Sequence, residues 1–422
     1  MEQDELKRKL LGLWERTTHH SKDLLSNLFE YYFDYDLIDY KEIDGKIVGA
    51  LCGIPYTFGY GSKRLFGLYI IVLSSEEGYS KKGILSQLLN DFNKRAEENY
   101  DFTFLVPPTE LMADYYGTNG YFSSFFILEE RFTSLHDFKN DYFISLTDSD
   151  DRIKEMKKSL FNNITVVDNK LNKKFPSQLI IDFIRDIEGK STSSVNLCHT
   201  AKDIEYLLHE NTISEFGCFV SYDKENNITG VLFTKKDDLK RIKVVAEFVS
   251  DTCSYFSILD FIKHQYQDYS LSINTSDPKL QSHSIIQQIY ASANPEGGDL
   301  DNTFSVIEIP FNMNKLLQPL GMVKLLNLER IIKYLAETRS DIEFKLNIRD
   351  YKNSDEEKKV YIVKNGKCQI ASLNKLVKDN SILHLTIKEV SELLLRKNDS
   401  SNLIMEAFGI PRLNLQMRLL PV

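Results

Sequence analysis

Apolar positions between residues 5 and 35 recur at helical spacing: Leu10, Leu13 and Trp14, then Leu24, Leu25, Leu28 and Phe29. That periodicity predicts amphipathic helix. The pattern then changes. In "YKEIDGKIVGALCGI" (40–54), Asp44-Gly45 separates two apolar runs, which signals a β-hairpin. "RLFGLYIIVLSS" (64–75) is nearly continuously apolar, as a strand buried on both faces would be. Helical spacing returns in "KKGILSQLLNDFNKRAEEN", where Ile84, Leu85, Leu88, Leu89 and Phe92 form one stripe. "FTFLVPP" (102–108) is a second buried strand, ended by Pro107-Pro108. "ADYYGTNGYF" (113–122) reads as a helix end running into the strand "FSSFFILEERF".

Beyond the polar, acidic break "TDSDD" (147–151) the same order recurs more faintly. "GCFVSYDKENNITGVLFTK" (217–235) is a hairpin, "RIKVVAEFVS" (241–250) a strand, "YFSILDFIKHQY" (255–266) a helix and "YSLSIN" (269–274) a strand. After the loop "NPEGGDLDN" and the run "IEIPFNM" the pattern changes again. "NLERIIKYLAE" predicts a helix with Asn327 as N-cap. "EFKLNIRD" and "KVYIVKNGKCQIAS" alternate like strands around an Asn365-Gly366 turn, "TIKEVSELLL" is helical, and Leu413, Leu415, Met417 and Leu419 alternate in the tail. The expected fold class is α+β. Three domains are expected: residues 1–146, 152–310 with a similar fold, and 311–422, a small sheet with helices.

Composition agrees with that size. The chain of 422 residues is 42% hydrophobic and 27% charged, typical of a folded protein of two or three domains. Its net charge of −9, without a basic block, argues against a nucleic-acid partner and favours a cationic small molecule. No apolar run reaches the roughly 18 residues of a membrane span, and the N-terminus has no signal-peptide core. Five scattered cysteines without a CxxC pair read as reduced thiols of a cytoplasmic protein. The His19-His20 pair lacks metal-ligand spacing, and no metal site is expected.

One stretch can carry chemistry. In "SSEEGYSKKGILSQLL" (74–89) a buried strand gives way to Ser80, Lys81, Lys82 and Gly83, which open a helix. Free N–H groups and the positive dipole end of a helix N-terminus bind phosphate oxygens. Gly83 allows close backbone approach, and the lysines add charge. The bland alternative is an ordinary strand–helix turn with Ser80 as N-cap. The stretch matches neither the Walker nor the dinucleotide pattern. The corresponding link of the second copy, "SDTCSY" (250–255), has an acid and no glycine, Lys or Arg.

A strand, a basic-Gly turn, an amphipathic helix, a second strand and then Tyr-x-x-x-Gly-aromatic together resemble the GNAT family of acyl-CoA-dependent N-acetyltransferases. Ser80 and Leu85 depart from that family's Arg/Gln-x-x-Gly-x-Gly/Ala loop. "YGTNGY" (116–121), "PLGMVKLLNLERIIKYLAE" (319–337) and "LNIRDYKNSDEEKKVYIVKNGKC" (346–368) are similar to segments of its Eis (enhanced intracellular survival) branch. In that branch two tandem GNAT-like domains precede a sterol-carrier-like domain. The resemblance covers nearly the whole chain.

What the resemblance implies is specific. Acetyl-CoA would be the co-substrate, bound by the first domain through Ser80, Lys81, Lys82, Gly83 and Ile84. Backbone donors near Leu73 and Ser75, at the bulged end of the strand, would face the acetyl-pantetheine arm. Tyr116 would protonate the leaving thiolate. The C-terminal carboxylate of Val422 would serve as base, and the chain would assemble as a homo-hexamer. Tyr115 and Tyr121 are read as packing residues, and Tyr116 itself reads alternatively as a core aromatic. The function implied is transfer of acetyl to a primary amine of a small cationic acceptor. The alternative is a catalytically inactive GNAT-like protein that binds an apolar or CoA-type ligand.

Overall fold

The computed structural model describes residues 3–18, 20–60, 63–132, 161–190, 195–213, 216–237, 240–275, 316–349, 359–375, 381–395 and 415–416. Contacts gather the chain into two units. The first takes Met1–Phe126, Ser191–His199 and Pro319–Gln416; the second takes Ile127–Lys190, Thr200–Gln318 and Met417–Val422.

The opening helical stretch is two helices, α1 (Gln3–Thr17) and α2 (Lys22–Tyr32). Thr17 and Thr18 turn their hydroxyls back onto the carbonyls of Leu13 and Trp14, and the Ser21 side chain accepts the Leu24 N–H at 3.3 Å. Hydroxyls used this way end one helix and cap the next. β1 (Ile38–Ile43) and β2 (Lys46–Tyr60) form the expected hairpin, with Asp44 and Gly45 at φ 50° and 76° as its two-residue turn requires. β3 (Lys63–Ser75) runs antiparallel to β2. α3 (Ile84–Ala96) then crosses over to β4 (Phe102–Leu105), which lies parallel to β3. α3 packs so closely on β2 that a Cβ at Gly53 would come within 2.6 Å of the Phe92 ring. α4 (Glu110–Thr118), capped by Thr109, leads into β5 (Phe122–Phe132). Phe58, Phe102, Phe104 and Phe125 are fully buried and in ring contact. Burying each such ring contributes on the order of 2–3 kcal/mol.

The second unit contains β6 (Thr165–Asp168) and α5 (Ser177–Gly189). β7 (Val195–Cys198) belongs to the first unit, where it pairs antiparallel with Thr57–Gly59 of β2. α6 (Ala201–Ile213), β8 (Phe216–Tyr222), β9 (Ile228–Asp237), β10 (Arg241–Val249), α7 (Thr252–Gln265) and β11 (Ser270–Thr275) follow in the second unit. Here β9 and β10 are antiparallel, α7 crosses over, and β11 is parallel to β10. The order of hairpin, strand, helix and parallel strand therefore occurs twice.

β12 (Leu316–Leu325) brings a late segment to the first unit, its residues Met322–Leu325 running antiparallel to β4. α8 (Leu328–Thr338) starts at Asn327, whose side chain accepts the Arg330 N–H at 3.0 Å. β13 (Phe344–Ile348), β14 (Lys359–Lys364), β15 (Lys367–Ser372) and β16 (Ile382–Leu385) form a separate four-stranded sheet in the order β15-β14-β13-β16. α9 (Ile387–Leu395) follows. β17 (Leu415–Gln416) is parallel to β7.

Asp101, 2% exposed, fastens these parts of the first unit together. Its carboxylate accepts the Phe66 N–H at 2.7 Å and ion-pairs with Arg330 of α8 at 2.7 Å. Its carbonyl accepts the N–H groups of Leu326 and Asn327 at 2.8 and 3.0 Å. Replacing Asp101 by Ala leaves the guanidinium and an amide without this partner. The expected loss is about 3 kcal/mol, read in urea unfolding at pH 7; a loss below about 1 kcal/mol would show that the pair does not hold the unit.

Candidate active site

The site is built on the last half of β3. Its ladder with β4 runs only from Gly67/Phe102 to Tyr69/Phe104, whereas β3 continues to Ser75. Beyond Tyr69 the β4-facing edge of β3 carries no strand partner among the described residues. On the other side the register with β2 jumps from Cys52/Ile71 to Ala50/Ser74, so Val72 and Leu73 together oppose Leu51. This is a β-bulge, and Val72 sits at φ 52°. A β-branched residue in the left-handed region costs on the order of 1–3 kcal/mol, and such strain gathers at functional sites. Leu73 and Ser75, both half-buried, follow directly.

After Ser75 the chain is ordered by Glu76. Its N–H reaches the Val48 carbonyl at 2.9 Å, and its carboxylate holds Arg16 at 2.7 Å and Lys46 at 3.0 Å. The bond from Arg16, then that from Lys46, keeps this carboxyl below the usual glutamate range. Residues Glu77–Lys82 form a 3₁₀ turn, with the Lys82 ammonium 4.3 Å from the Tyr79 ring centroid. The backbone of Ser80 and Lys81 lies in this turn, and Lys82 is exposed.

Gly83, at φ 70°, is the N-cap of α3, a position the bland reading gives to Ser80. A Cβ there would meet nothing within 4 Å, so backbone conformation is what selects glycine. The first intrahelical bond runs from Gln87 N–H to the Gly83 carbonyl at 3.0 Å, and among the described residues no side-chain bond caps the helix. The N–H groups of Ile84, Leu85 and Ser86 precede that bond, at the positive end of α3. Ile84 contributes only its backbone, because its side chain is buried.

The corresponding helix of the second unit is closed. β10 also pairs in parallel only as far as Val244 and also bulges, at Val245. But α7 starts at Asp251, whose carboxylate accepts the N–H of Ser254 at 2.8 Å and its hydroxyl at 2.7 Å. A fixed carboxylate already occupies the position an anion would take.

Tyr116, 5% exposed, lies in the last turn of α4 and shares a hydrophobic cluster with Ile84, Leu88 and Leu105, bordered by Leu73 and Tyr79. Its ring meets those of Tyr115 and Tyr121 edge-on at 5.4 and 5.9 Å. Its carbonyl accepts the N–H groups of Asn119 and Tyr121 at 3.0 and 3.1 Å. No protein group among the described residues bonds its hydroxyl. Burial, and secondarily Tyr115, pushes that phenol well above the ordinary tyrosine range. The Tyr121 hydroxyl is instead held within a buried group, 2.9 Å from Thr103 Oγ1 and 3.1 Å from Asn93 Oδ1.

Leu73, Ser75, Lys82, Gly83 and Ile84 thus lie on one continuous path from bulge to helix, with Tyr116 in the cluster beneath it. Val422 lies outside the described residues. Three features escaped the sequence reading. Val72 gives no sign of its backbone angle. Ser86 and Tyr115 join their hydroxyls at 2.9 Å, linking the first turn of α3 to α4. Lys324 donates to the Asn119 carbonyl at 3.0 Å across 205 residues. Among the described residues no His, Cys, Asp and Glu side chains group as metal ligands, and no helix is long and apolar enough to cross a membrane. A cavity of about 550 Å³ lies at the other end of α3, lined by Asp34, Tyr35, Leu68, Arg95, Glu98 and Tyr100 among others, away from Gly83.

No protein-family model matches the sequence, and no curated protein does either. Solved structures do resemble the fold. A conserved Enterococcus faecalis protein of unknown function, described as a probable N-acyltransferase, superposes with a TM-score of 0.62 at 13% identity, over 96% of this chain and 91% of that one. A GCN5-related N-acetyltransferase from Anabaena variabilis gives 0.60 at 12% identity, over 98% and 97%. Eis1 from Mycobacterium abscessus gives 0.58 at 9% identity, over 97% and 91%. At this identity the likeness establishes the fold: α+β, of the GCN5-related acyltransferase type.

The burial of Tyr116 is directly measurable. In an absorbance titration a freely solvated phenol ionises near pH 10, and Tyr116→Phe should leave the amplitude of such a transition unchanged up to about pH 11. Loss of one tyrosine's worth of signal would mean that the phenol is solvated.

Proposed function

We propose that the chain is an acetyl-CoA-dependent N-acetyltransferase whose site lies in the first unit. One observation carries the reading. Of two similar strand–bulge–helix links, one opens onto an uncapped helix N-terminus behind a glycine, and the other is closed by the Asp251 carboxylate. A diphosphate fits the first and is repelled by the second. On this reading residues 1–146 and 152–310 are tandem GNAT-like domains, the second without a cofactor site, and 311–422 is a sterol-carrier-like domain.

When bound, acetyl-CoA supplies an activated acetyl carbonyl and a thiolate leaving group. The chain's residues do the rest. The N–H groups of Ile84, Leu85 and Ser86, with Lys82 and the backbone of Ser80 and Lys81 alongside, hold the diphosphate. The unpaired edge of β3 past Tyr69 receives the pantetheine arm as a further strand would be received. Backbone donors at the Val72–Leu73 bulge and at Ser75 stabilise the oxyanion that develops when the amine attacks. Tyr116 holds its proton until the thiolate departs, then donates it, and the attacking amine gives up its own proton to a base, which on this reading is the C-terminal carboxylate of Val422. A phenol kept neutral by burial is in the correct form for an acid at neutral pH. The net charge of −9 suits a cationic amine as acceptor.

Isothermal titration should find one acetyl-CoA per chain. Gly83→Asp, which gives α3 the carboxylate cap that α7 has, should abolish binding, and Asp251→Gly should leave the stoichiometry unchanged. Two cofactors per wild-type chain would refute the assignment to the first unit.

Turnover tests the acid. Tyr116→Phe should lower kcat by roughly 10²–10⁴ while acetyl-CoA binding survives. Tyr121→Phe should cost about 1–3 kcal/mol of stability through Asn93 and Thr103, with a much smaller loss of rate. Acetyl-CoA binding without turnover on any amine would favour an inactive binding protein, and equal small losses in both variants would make Tyr116 a packing residue.

A further inference from the structure

We propose that Lys324 is a positioning residue for Tyr116: its ammonium pins the turn that closes α4 and so fixes where the phenol points. The kinetic part of this inference rests on the acetyltransferase reading.

Lys324 stands on β12 directly opposite Thr103 of β4. Its Nζ donates to the Asn119 carbonyl at 3.0 Å and lies 5.9 Å from the Tyr121 ring centroid. Its stem passes 3.6 Å from where a Cβ of Gly120 would be, so the lysine covers the whole turn Asn119-Gly120-Tyr121. The same turn is held from inside by the bonds of the Tyr121 hydroxyl to Thr103 and Asn93. Both N–H groups that close α4 onto the Tyr116 carbonyl, those of Asn119 and Tyr121, come from this turn. Displacing the turn therefore displaces Tyr116.

The arrangement is costly for a surface ornament. Lys324 is half-buried, and no carboxylate pairs with it among the described residues. Burial accordingly lowers its pKa. Its compensation is the negative end of α4, where a cation is favoured. α4 has nine residues, too few to hold its own geometry in water. A long-range anchor from β12 supplies what local propensity cannot.

The test compares Lys324→Met, which keeps the apolar stem, with Lys324→Arg, which keeps charge and donor. Lys324→Met should lower kcat about tenfold, with the KM for acetyl-CoA unchanged within about twofold, as for a modest misplacement of a reacting group. Lys324→Arg should recover most of the rate. In a Tyr116→Phe background, Lys324→Met should have no further effect on kcat. An equally large effect there would show that Lys324 acts elsewhere and would overturn the proposal. A second readout needs no activity. With 3-fluorotyrosine incorporated, the ¹⁹F line of Tyr116, identified by its loss in Tyr116→Phe, should move in Lys324→Met and return in Lys324→Arg. An unmoved line overturns the positioning role. If the wild type fails to bind acetyl-CoA in a thermal shift, the acetyltransferase reading fails, and the ¹⁹F line still decides the structural claim.

Discussion

The first unit depends on one buried carboxylate. Asp101 bonds Phe66 through both its N–H and its side chain, and its carbonyl takes the N–H groups of Leu326 and Asn327. Gly67 must therefore face Phe102, and Leu325 must face Phe102 from the other side. Burial pushes the Asp101 carboxyl upward, against the Phe66 N–H and Arg330, which favour its charge. A charge taken out of water needs such partners at fixed positions, so it fixes register where apolar contacts alone would allow slippage. With register set and β4 ending at Leu105, β3 outruns its partner, and the open edge of the candidate site follows.

That open edge gains meaning from what stands beside it. The strained Val72 and the uncapped α3 are both departures from the most stable choice: a strand prefers an extended valine, and a helix prefers a polar N-cap, each worth about a kilocalorie or more. The second unit repeats the strand, bulge and helix but closes its helix with Asp251. Two related pieces of backbone thus differ in whether donors are left for an outside partner.

The α4 turn shows how far such a site draws on the rest of the chain. Tyr115 ties α4 to α3 through Ser86, Tyr121 ties it to Asn93 and Thr103, and Lys324 ties it to a strand more than two hundred residues away. A short helix held from three sides behaves as part of the sheet it rests on.

The sequence by itself determined what depends on neighbours along the chain. The hairpin turns at Asp44-Gly45 and Asn365-Gly366, the stripe of α3, the Asn327 cap and the contrast between Gly83 and "SDTCSY" all follow from residue type and local spacing. The break between α1 and α2 was missed because Thr17, Thr18 and Ser21 act through backbone bonds that hydrophobic periodicity does not register. Only the tertiary structure decided that β7 and β12 join the first unit, that the β3 ladder stops at Tyr69, that Val72 adopts a left-handed angle, and that Lys324 meets Asn119. Those outcomes depend on strand pairing and on the burial of charge between segments far apart in sequence, and no local pattern encodes which distant partner arrives.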